Sequence, residues 1–241
     1  SNQVTDFYTY PNDGFSPKSM RIKDNYLYVV EQGNKKIVKF DLNSPSPTPI
    51  DVIASGLLQP TGIFFKNNDL YISDSEAGKI FKTDISQTNL VLNEIVSGLA
   101  FPNSIYINKN ELYIAESYGD KITKIDITDA NPTPIDVLTN IYVPYDLLIS
   151  NDILYYTESL ADKVSSFDIN TPSQSPKILF GIENATGLSI DGNNLYVAQW
   201  GYEGLISRIN LTNTTTSNYT SIPDPNFEQS LIDLGYDTNG L

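Results

Sequence analysis

One motif recurs five times along the chain at a nearly constant spacing. The Leu-Tyr pair begins at Leu27, Leu70, Leu112, Leu154 and Leu195, with intervals of 43, 42, 42 and 41 residues. Self-similarity at a period of roughly 20 to 50 residues is the mark of a repeat architecture, in which every copy builds the same supersecondary unit. The fold must therefore be one that stacks five similar units of about 42 residues.

Residues around the Leu-Tyr pair alternate in the manner of a β-strand. Leu70 and Ile72 fall on one face, and Tyr71 and Ser73 fall on the other, which is the period of two that a strand requires. A tyrosine takes the second position in every copy, at Tyr28, Tyr71, Tyr113, Tyr155 and Tyr196. Both faces thus carry side chains that pack well, which predicts sheets covered by protein on both sides.

Each copy contains three further candidate strands. A short apolar strand precedes the pair, and a proline introduces it in QPTGIFF (59–65), FPNSIYI (101–107) and VPYDLLI (143–149). A third strand follows a turn, and the fourth, as in TPIDVIASGL (48–57), begins with proline in the way that suits an outer edge. Four short strands per copy without helix signals are typical of propeller blades.

These patterns predict an all-β propeller of four-stranded antiparallel blades, with five blades and six as the alternative. The segment VTDFYTY (4–10) precedes the first complete copy, so we expect it to close the last blade by pairing with residues 205–211. The predicted domain therefore spans residues 1–211. Residues 212–241 are interpreted as a polar linker and a short helical tail, with the start of a further domain as the alternative.

The repeat pattern has relatives among known families. P-x-G/S-I, then N-x-L-Y-I/V-A/S-D/E, then K-I-x-K-x-D-I, over residues 4–211, resembles the NHL and YVTN-type propellers and, more distantly, regucalcin and gluconolactonase-like propellers. The resemblance implies the fold, whereas function varies widely among such propellers. Residues 222–241 resemble the opening of leucine-rich-repeat segments in large secreted or surface-anchored bacterial proteins, which implies a secreted or cell-surface module.

Composition excludes several classes of function. The chain has no histidine and no cysteine, which removes Ser-His-Asp and Cys-His catalysis, and streptogramin-lyase-like chemistry, which uses a histidine base. A net charge of −14 repels nucleic acids and anionic lipids, and no apolar run is long enough to span a bilayer. The expected partner is a protein, a peptide or a glycan, and the chain is expected to be a monomer.

Candidate metal ligands follow from the regucalcin-like resemblance, which implies a divalent cation at the mouth of the central channel. Asn103, Asp146 and Glu183 match that pattern, but Lys18 and two Thr-Gly pairs depart from it. We therefore expect no catalytic metal and no cofactor, with a weakly bound calcium ion as the alternative.

A recurrent acid ends the Tyr-containing strand, at Glu31, Asp74, Glu116 and Glu158, with Gln199 in the fifth copy. The preferred interpretation is structural: each acid accepts hydrogen bonds from the following turn and pairs with Lys36, Lys79, Lys121 or Lys163. A ring of carboxylates lining the central channel is the alternative.

The fifth copy is irregular, because AQWGYEG (198–204) carries an extra residue and the only tryptophan. Trp200 and Tyr202 are the predicted ligand-binding aromatics, and Asn103, Tyr145 and Asp146 are the predicted polar contacts. Two function classes remain. We favour a non-catalytic extracellular binding or spacer module over a lactonase-like, metal-dependent hydrolase, because only Asp146 clearly supplies a catalytic carboxylate.

Overall fold

The computed structural model describes residues 7–9, 16–200 and 205–212, and the backbone of residues 219–222. These ranges contain twenty β-strands and no helix. The strands form five four-stranded antiparallel sheets, and in each sheet the spatial order is the chain order. The predicted all-β fold with five propeller blades is confirmed.

The chain divides into two compact units, Ser1–Leu138 and Thr139–Leu241. The first unit holds three blades, of which the last ends one residue beyond its boundary. Their strands are β1 Pro17–Lys23, β2 Tyr26–Glu31, β3 Lys36–Asp41 and β4 Ile50–Ile53; β5 Pro60–Lys66, β6 Asp69–Asp74, β7 Lys79–Asp84 and β8 Asn93–Ser97; β9 Pro102–Asn108, β10 Glu111–Glu116, β11 Lys121–Asp126 and β12 Ile135–Thr139.

The second unit holds the fourth and fifth blades. Their strands are β13 Pro144–Ser150, β14 Ile153–Glu158, β15 Lys163–Asp168 and β16 Lys177–Gly181; β17 Ala185–Asp191, β18 Asn194–Gln199, β19 Ile206–Asn210 and β20 Tyr219–Ile222. Tight turns join the first two strands of every blade, and a residue with positive φ stands in each of them: Asp24, Asn67, Lys109, Asn151 or Gly192. Such turns match the right-handed twist of the flanking strands.

Both faces of the second blade are buried inside the first unit, as the alternation predicts. Leu70 and Ile72 belong to a core cluster shared with Val30 and Ile37 of the first blade. Tyr71, which points the other way, belongs to a second cluster with residues of the third blade. Stacking of neighbouring sheets, rather than a single central core, therefore buries the apolar side chains of this unit.

The outer strand of the fifth blade differs from the prediction. Strand β19 pairs with β18 on one edge and with β20, Tyr219–Ile222, on the other. Both edges of β19 are thus occupied along Ile206–Ile209, and β20 takes the position predicted for residues 4–10, most of which lie outside the described residues. Strand β20 lies in the segment 212–241, which was predicted to be a polar linker and a short helical tail. The strand was missed because the Thr/Asn-rich sequence around it shows no alternation of apolar and polar residues. The predicted helical tail lies outside the described residues.

Candidate functional site

The acids that end the second strands are buried side chains. Asp74, Glu116 and Glu158 are all less than 3% exposed. Because the first and second strands are antiparallel, the end of the second strand lies beside the start of the first strand. We call this region of a blade its turn end: the turn between the second and third strands together with the loop that precedes the first strand.

Asp74 shows what the buried acid does. Its carboxylate accepts hydrogen bonds from the backbone N–H groups of Leu58 (2.7 Å) and Gln59 (2.8 Å), in the loop before β5. It also accepts one from the N–H of Ala77 (3.2 Å), in the turn after β6. These donors satisfy the oxygens of a carboxylate that is shielded from water, as a buried polar group requires. Asp74 therefore joins the two loops of its turn end.

The third, fourth and fifth blades repeat this contact with the preceding loop, whereas Glu31 of the first blade accepts a hydrogen bond from the Asn34 side-chain amide (3.0 Å). Glu116 accepts from the N–H of Ala100 (2.8 Å), and Glu158 accepts from the N–H of Tyr142 (3.0 Å). In the fifth blade the Gln199 amide donates to the Glu183 carbonyl (3.1 Å). Each of these three backbone groups belongs to the loop before the first strand. Glu116 and Glu158 therefore have the structural role that was the preferred interpretation, but their backbone partner is the preceding loop rather than the following turn.

The predicted lysine partners of the acids are correct in one blade. Lys163 pairs with Glu158 at 3.2 Å. The equivalent lysines of the first three blades pair instead with an acid on the fourth strand or beside it: Lys36 with Asp51, Lys79 with Glu94 and Lys121 with Asp136. A surface lysine loses less hydration when it pairs with an exposed acid than when it pairs with a buried acid, so the ion pair with the exposed acid costs less free energy to form.

Polar residues at the starts of the first strands are also engaged. The Thr61 hydroxyl donates to the Pro102 carbonyl (2.9 Å), and the Ser73 hydroxyl donates to the Asn103 carbonyl (2.9 Å). The Asn103 amide donates to the Ser117 hydroxyl (3.1 Å) and is 5% exposed. Thr61 and Ser73 therefore tie the second blade to the third, and the hydrogen bond of the Asn103 side chain lies within its own blade.

The remaining predicted metal and polar residues lie in the second unit. The Asp146 carboxylate accepts from the N–H groups of Leu147 (2.9 Å) and Leu188 (2.7 Å), so it connects the fourth and fifth blades. Tyr145 is half-buried, and Glu183 is exposed. No group of three or more Asp or Glu side chains that could hold a metal ion occurs in the part of the chain that the structure describes.

Some of the exposed apolar side chains lie at turn ends, and each unit contains examples. In the first unit, Tyr118 stacks on Phe101 with ring centroids 4.3 Å apart and planes at 21°. In the second unit, Tyr142 is 63% exposed, Leu160 is 71% exposed and Trp200 is 77% exposed. Large apolar side chains gathered at one place on a surface mark interaction sites more often than scattered ones do.

Hydrogen bonds connect the loops that carry the three exposed residues of the second unit. The Tyr142 N–H donates to Glu158, two residues before Leu160. Asp162, two residues after Leu160, accepts from the N–H of Asn184 (2.9 Å). The Asn184 carbonyl in turn accepts from the N–H of Trp200 (3.0 Å). Tyr142, Leu160 and Trp200 therefore lie on adjoining loops, which we call the apolar rim.

Sequence reasoning identified Trp200 but missed Tyr142 and Leu160. The signal was available in the repeat alignment: the position two residues after the recurrent acid changes from Gly33 and Glu76 to Tyr118 and Leu160. Because this position differs in size and polarity from one copy of the repeat to the next, it does not belong to the packed core. An apolar residue at this position is therefore expected to be exposed. Tyr202, the other predicted aromatic, lies outside the described residues.

Comparison with known proteins gives relatives in structure alone. No protein-family model and no curated protein matches the sequence. The chain is similar to a structure in a crystallised nidogen/laminin complex, with a TM-score of 0.73, 17% identity, and coverage of 86% of this chain and 80% of the other.

Two lyase structures are similar as well. One is a virginiamycin B lyase from Staphylococcus aureus, a catalytically inactive histidine-to-alanine variant with quinupristin: TM-score 0.65, 19% identity, 90% of this chain and 72% of the other. The second is a streptogramin B lyase, with a TM-score of 0.66, 17% identity and the same coverage. At these identities the likenesses establish the β-propeller fold of the chain.

Proposed function

We propose that this chain is a non-catalytic binding module of a secreted or surface-anchored multidomain bacterial protein, and that it binds a protein or peptide through the apolar rim. The observation that carries the proposal is the division of roles at the turn ends. The acids that end the second strands of the second, third and fourth blades are buried and accept hydrogen bonds from backbone N–H groups, whereas Tyr142, Leu160 and Trp200 are exposed to solvent. Aromatic residues are the usual anchors of protein interfaces.

Two further facts support a binding role over an enzymatic one. A similar fold occurs in a protein of the crystallised nidogen/laminin complex. The similar lyase is inactive when one histidine becomes alanine, and this chain contains no histidine. Tyr202, two residues after Trp200, is proposed to belong to the same binding surface.

The test is selection of a random peptide library on the immobilised chain. Selected peptides should be rich in apolar and aromatic residues, and their binding should persist at high salt because apolar contacts are not screened. The double variant Leu160→Ser with Trp200→Ser should weaken them about tenfold or more, as loss of a central aromatic anchor does. Ile178→Ser is the matched control, because Ile178 is 60% exposed on β16, away from the rim. Equal weakening by both variants would contradict the proposal.

A second experiment addresses the hydrolase alternative. Lactone hydrolysis in the presence of calcium, zinc or manganese should remain at background. Hydrolysis above background that disappears in Asp146→Ala or Asn103→Ala would show that the chain is an enzyme.

A separate experiment tests the proposed location. Antibodies should detect the protein on intact cells or in the medium, and detection confined to the cell interior would contradict a secreted or surface location.

A further inference from the structure

In each of the first three blades the third strand carries a lysine at the same position, and the surroundings of this lysine differ in the first blade. Lys82 of the second blade forms an ion pair with Asp69 at 3.1 Å. Lys124 of the third blade forms the same ion pair with Glu111 at 2.6 Å. In both cases the acid is the first residue of the second strand. The repeat thus provides this lysine with its own carboxylate partner.

The first blade lacks that carboxylate. Its lysine is Lys39, and Tyr26 occupies the position of Asp69 and Glu111. The Lys39 ammonium lies 4.4 Å from the centroid of the Tyr26 ring, which is a cation–π contact. Among the described residues, no carboxylate lies within ion-pair distance of Lys39. An aromatic face attracts the ammonium but accepts none of its three conventional hydrogen bonds, so these donors are available to a ligand.

Lys39 lines a cavity of about 470 Å³ between the outer part of the first blade and the connection from β7 to β8. The cavity has an apolar wall that includes Val52 and Leu90, and a polar wall that includes Thr88 and Asn89. Its size falls within the range of about 300–1,000 Å³ that is typical of small-molecule sites. The cavity therefore combines one free cation with hydrogen-bonding and apolar surfaces.

Tyr28 adds a second polar group without a partner. The residue is 4% exposed and lines the cavity, and its hydroxyl makes no hydrogen bond with any residue in the described ranges. Asp51 also lines the cavity, but its carboxylate is already paired with Lys36 at 3.0 Å. The local charge that remains unpaired is therefore positive, in a chain whose net charge is strongly negative.

We propose that this cavity binds a small polyhydroxylated carboxylate, such as a uronic acid residue of a glycan. Lys39 pairs with the carboxylate, the Tyr28 hydroxyl and the Thr88 and Asn89 side chains bond the ligand hydroxyls, and Val52 and Leu90 contact its C–H face. A single ammonium suits a monoanion. A phosphate dianion is better held by several cations or by a bidentate arginine. The site shares no residue with the apolar rim, so the proposal does not rest on the function proposed above.

The probe is D-glucuronate, titrated into the isotope-labelled full chain and followed by amide chemical shifts. Saturable shifts should map to β3, β4 and the β7–β8 connection. Glucose should bind about tenfold more weakly, because it forms no charged hydrogen bond. Inorganic phosphate should also bind more weakly than glucuronate. Absence of saturable shifts, or phosphate binding as tight as that of glucuronate, would overturn the proposal.

Two variants and a control assign the effect to Lys39. Lys39→Gln should weaken glucuronate binding about tenfold, by loss of the charged hydrogen bond. Tyr26→Glu should weaken it similarly, because it recreates the ion pair of the second and third blades and occupies Lys39. Lys124→Gln removes the equivalent lysine of the third blade and should leave binding unchanged. Full binding by Tyr26→Glu, in a variant whose circular dichroism is native, would show that Lys39 does not hold the carboxylate.

Discussion

The first strands of the second and fifth blades share the dipeptide Thr-Gly at their second and third positions, yet only the second blade buries its threonine. Thr61 is 2% exposed, and its hydroxyl donates to the next blade at the Pro102 carbonyl. In the fifth blade the Thr186 hydroxyl donates to the Ala198 carbonyl within its own sheet. Ala198 takes the place of Ser73, whose hydroxyl accepts from the Gly62 N–H.

The same contrast continues along the second strands of these two blades. In β6 the residues from Leu70 to Asp74 are all buried, whereas β18 alternates between buried and partly exposed positions. Asp74 holds three backbone N–H groups, and its counterpart Gln199 bonds one carbonyl and the Ser207 hydroxyl. The regular blade uses its polar residues for structure, and the irregular blade leaves side chains, Trp200 above all, available for contact.

The largest expected effect is the loss of the buried carboxylate of the second blade. Asp74→Ala should lower the free energy of unfolding by roughly 4 kcal/mol, because three backbone N–H groups lose their acceptor in a buried site. Gln199→Ala should cost about 1 kcal/mol, since it removes two hydrogen bonds at a less buried site. Urea unfolding monitored by circular dichroism measures both. Equal losses would show that the two blades do not differ in this respect.

Next in size is the difference between the two glycines. A Cβ at Gly62 would lie 2.7 Å from the Asn103 carbonyl oxygen and 2.8 Å from the Ser73 hydroxyl, so Gly62→Ala must push the second and third blades apart. We expect a loss of about 3 kcal/mol. A Cβ at Gly187 would lie 3.3 Å from the Ala198 Cβ, and Gly187→Ala should cost less than about 1 kcal/mol. Thermal unfolding measures the stability loss of each variant, and equal losses would contradict the difference in packing.

Alkaline pH should destabilise the second blade through its buried tyrosine. Burial, assisted by the charge of Asp69, raises the pKa of Tyr71 to about 12, whereas an unfolded tyrosine ionises near pH 10. This stabilising contribution is complete below pH 10 and is lost as the pH rises towards about 12, because the unfolded state releases its proton first. The urea midpoint should fall as the pH rises over that interval, and the fall should be smaller in Tyr71→Phe. If the midpoint falls equally in Tyr71→Phe, then other groups cause the loss of stability at alkaline pH.

The smallest effect on stability should come from the most exposed residue of the fifth blade. Trp200→Ser should change the free energy of unfolding by less than about 0.5 kcal/mol, as is usual for an exposed surface position. The chain has one tryptophan, so its fluorescence reports Trp200 alone. Acrylamide should quench it almost as efficiently as free indole. Strong shielding in the isolated chain would place Trp200 in a packed environment and remove it from the apolar rim.

The repeat alone was sufficient to predict most of the architecture. A period of about 42 residues, alternation around each Leu-Tyr pair and proline before the first strands fix strands, turns and blades locally. These signals depend on residues close together in the chain, which is why they can be read without the structure. The outer strand Tyr219–Ile222 escaped prediction because an edge strand in a Thr/Asn-rich segment lacks an alternating apolar pattern.

The candidate sites could be predicted only in part, for a different reason. Sequence singled out Trp200 as irregular and the recurrent acids as structural, since both are properties of a position within the repeat. Whether a polar side chain is free or engaged depends on the neighbouring blade. Tertiary structure alone decided that Asp146 bonds the backbone at Leu188, 42 residues away. It alone also placed Lys39 on the wall of a cavity formed with the next blade. Hydrogen bonds and cavities between sheets depend on distances of a few ångströms across stacked blades, and the order of residues within one blade does not specify those distances.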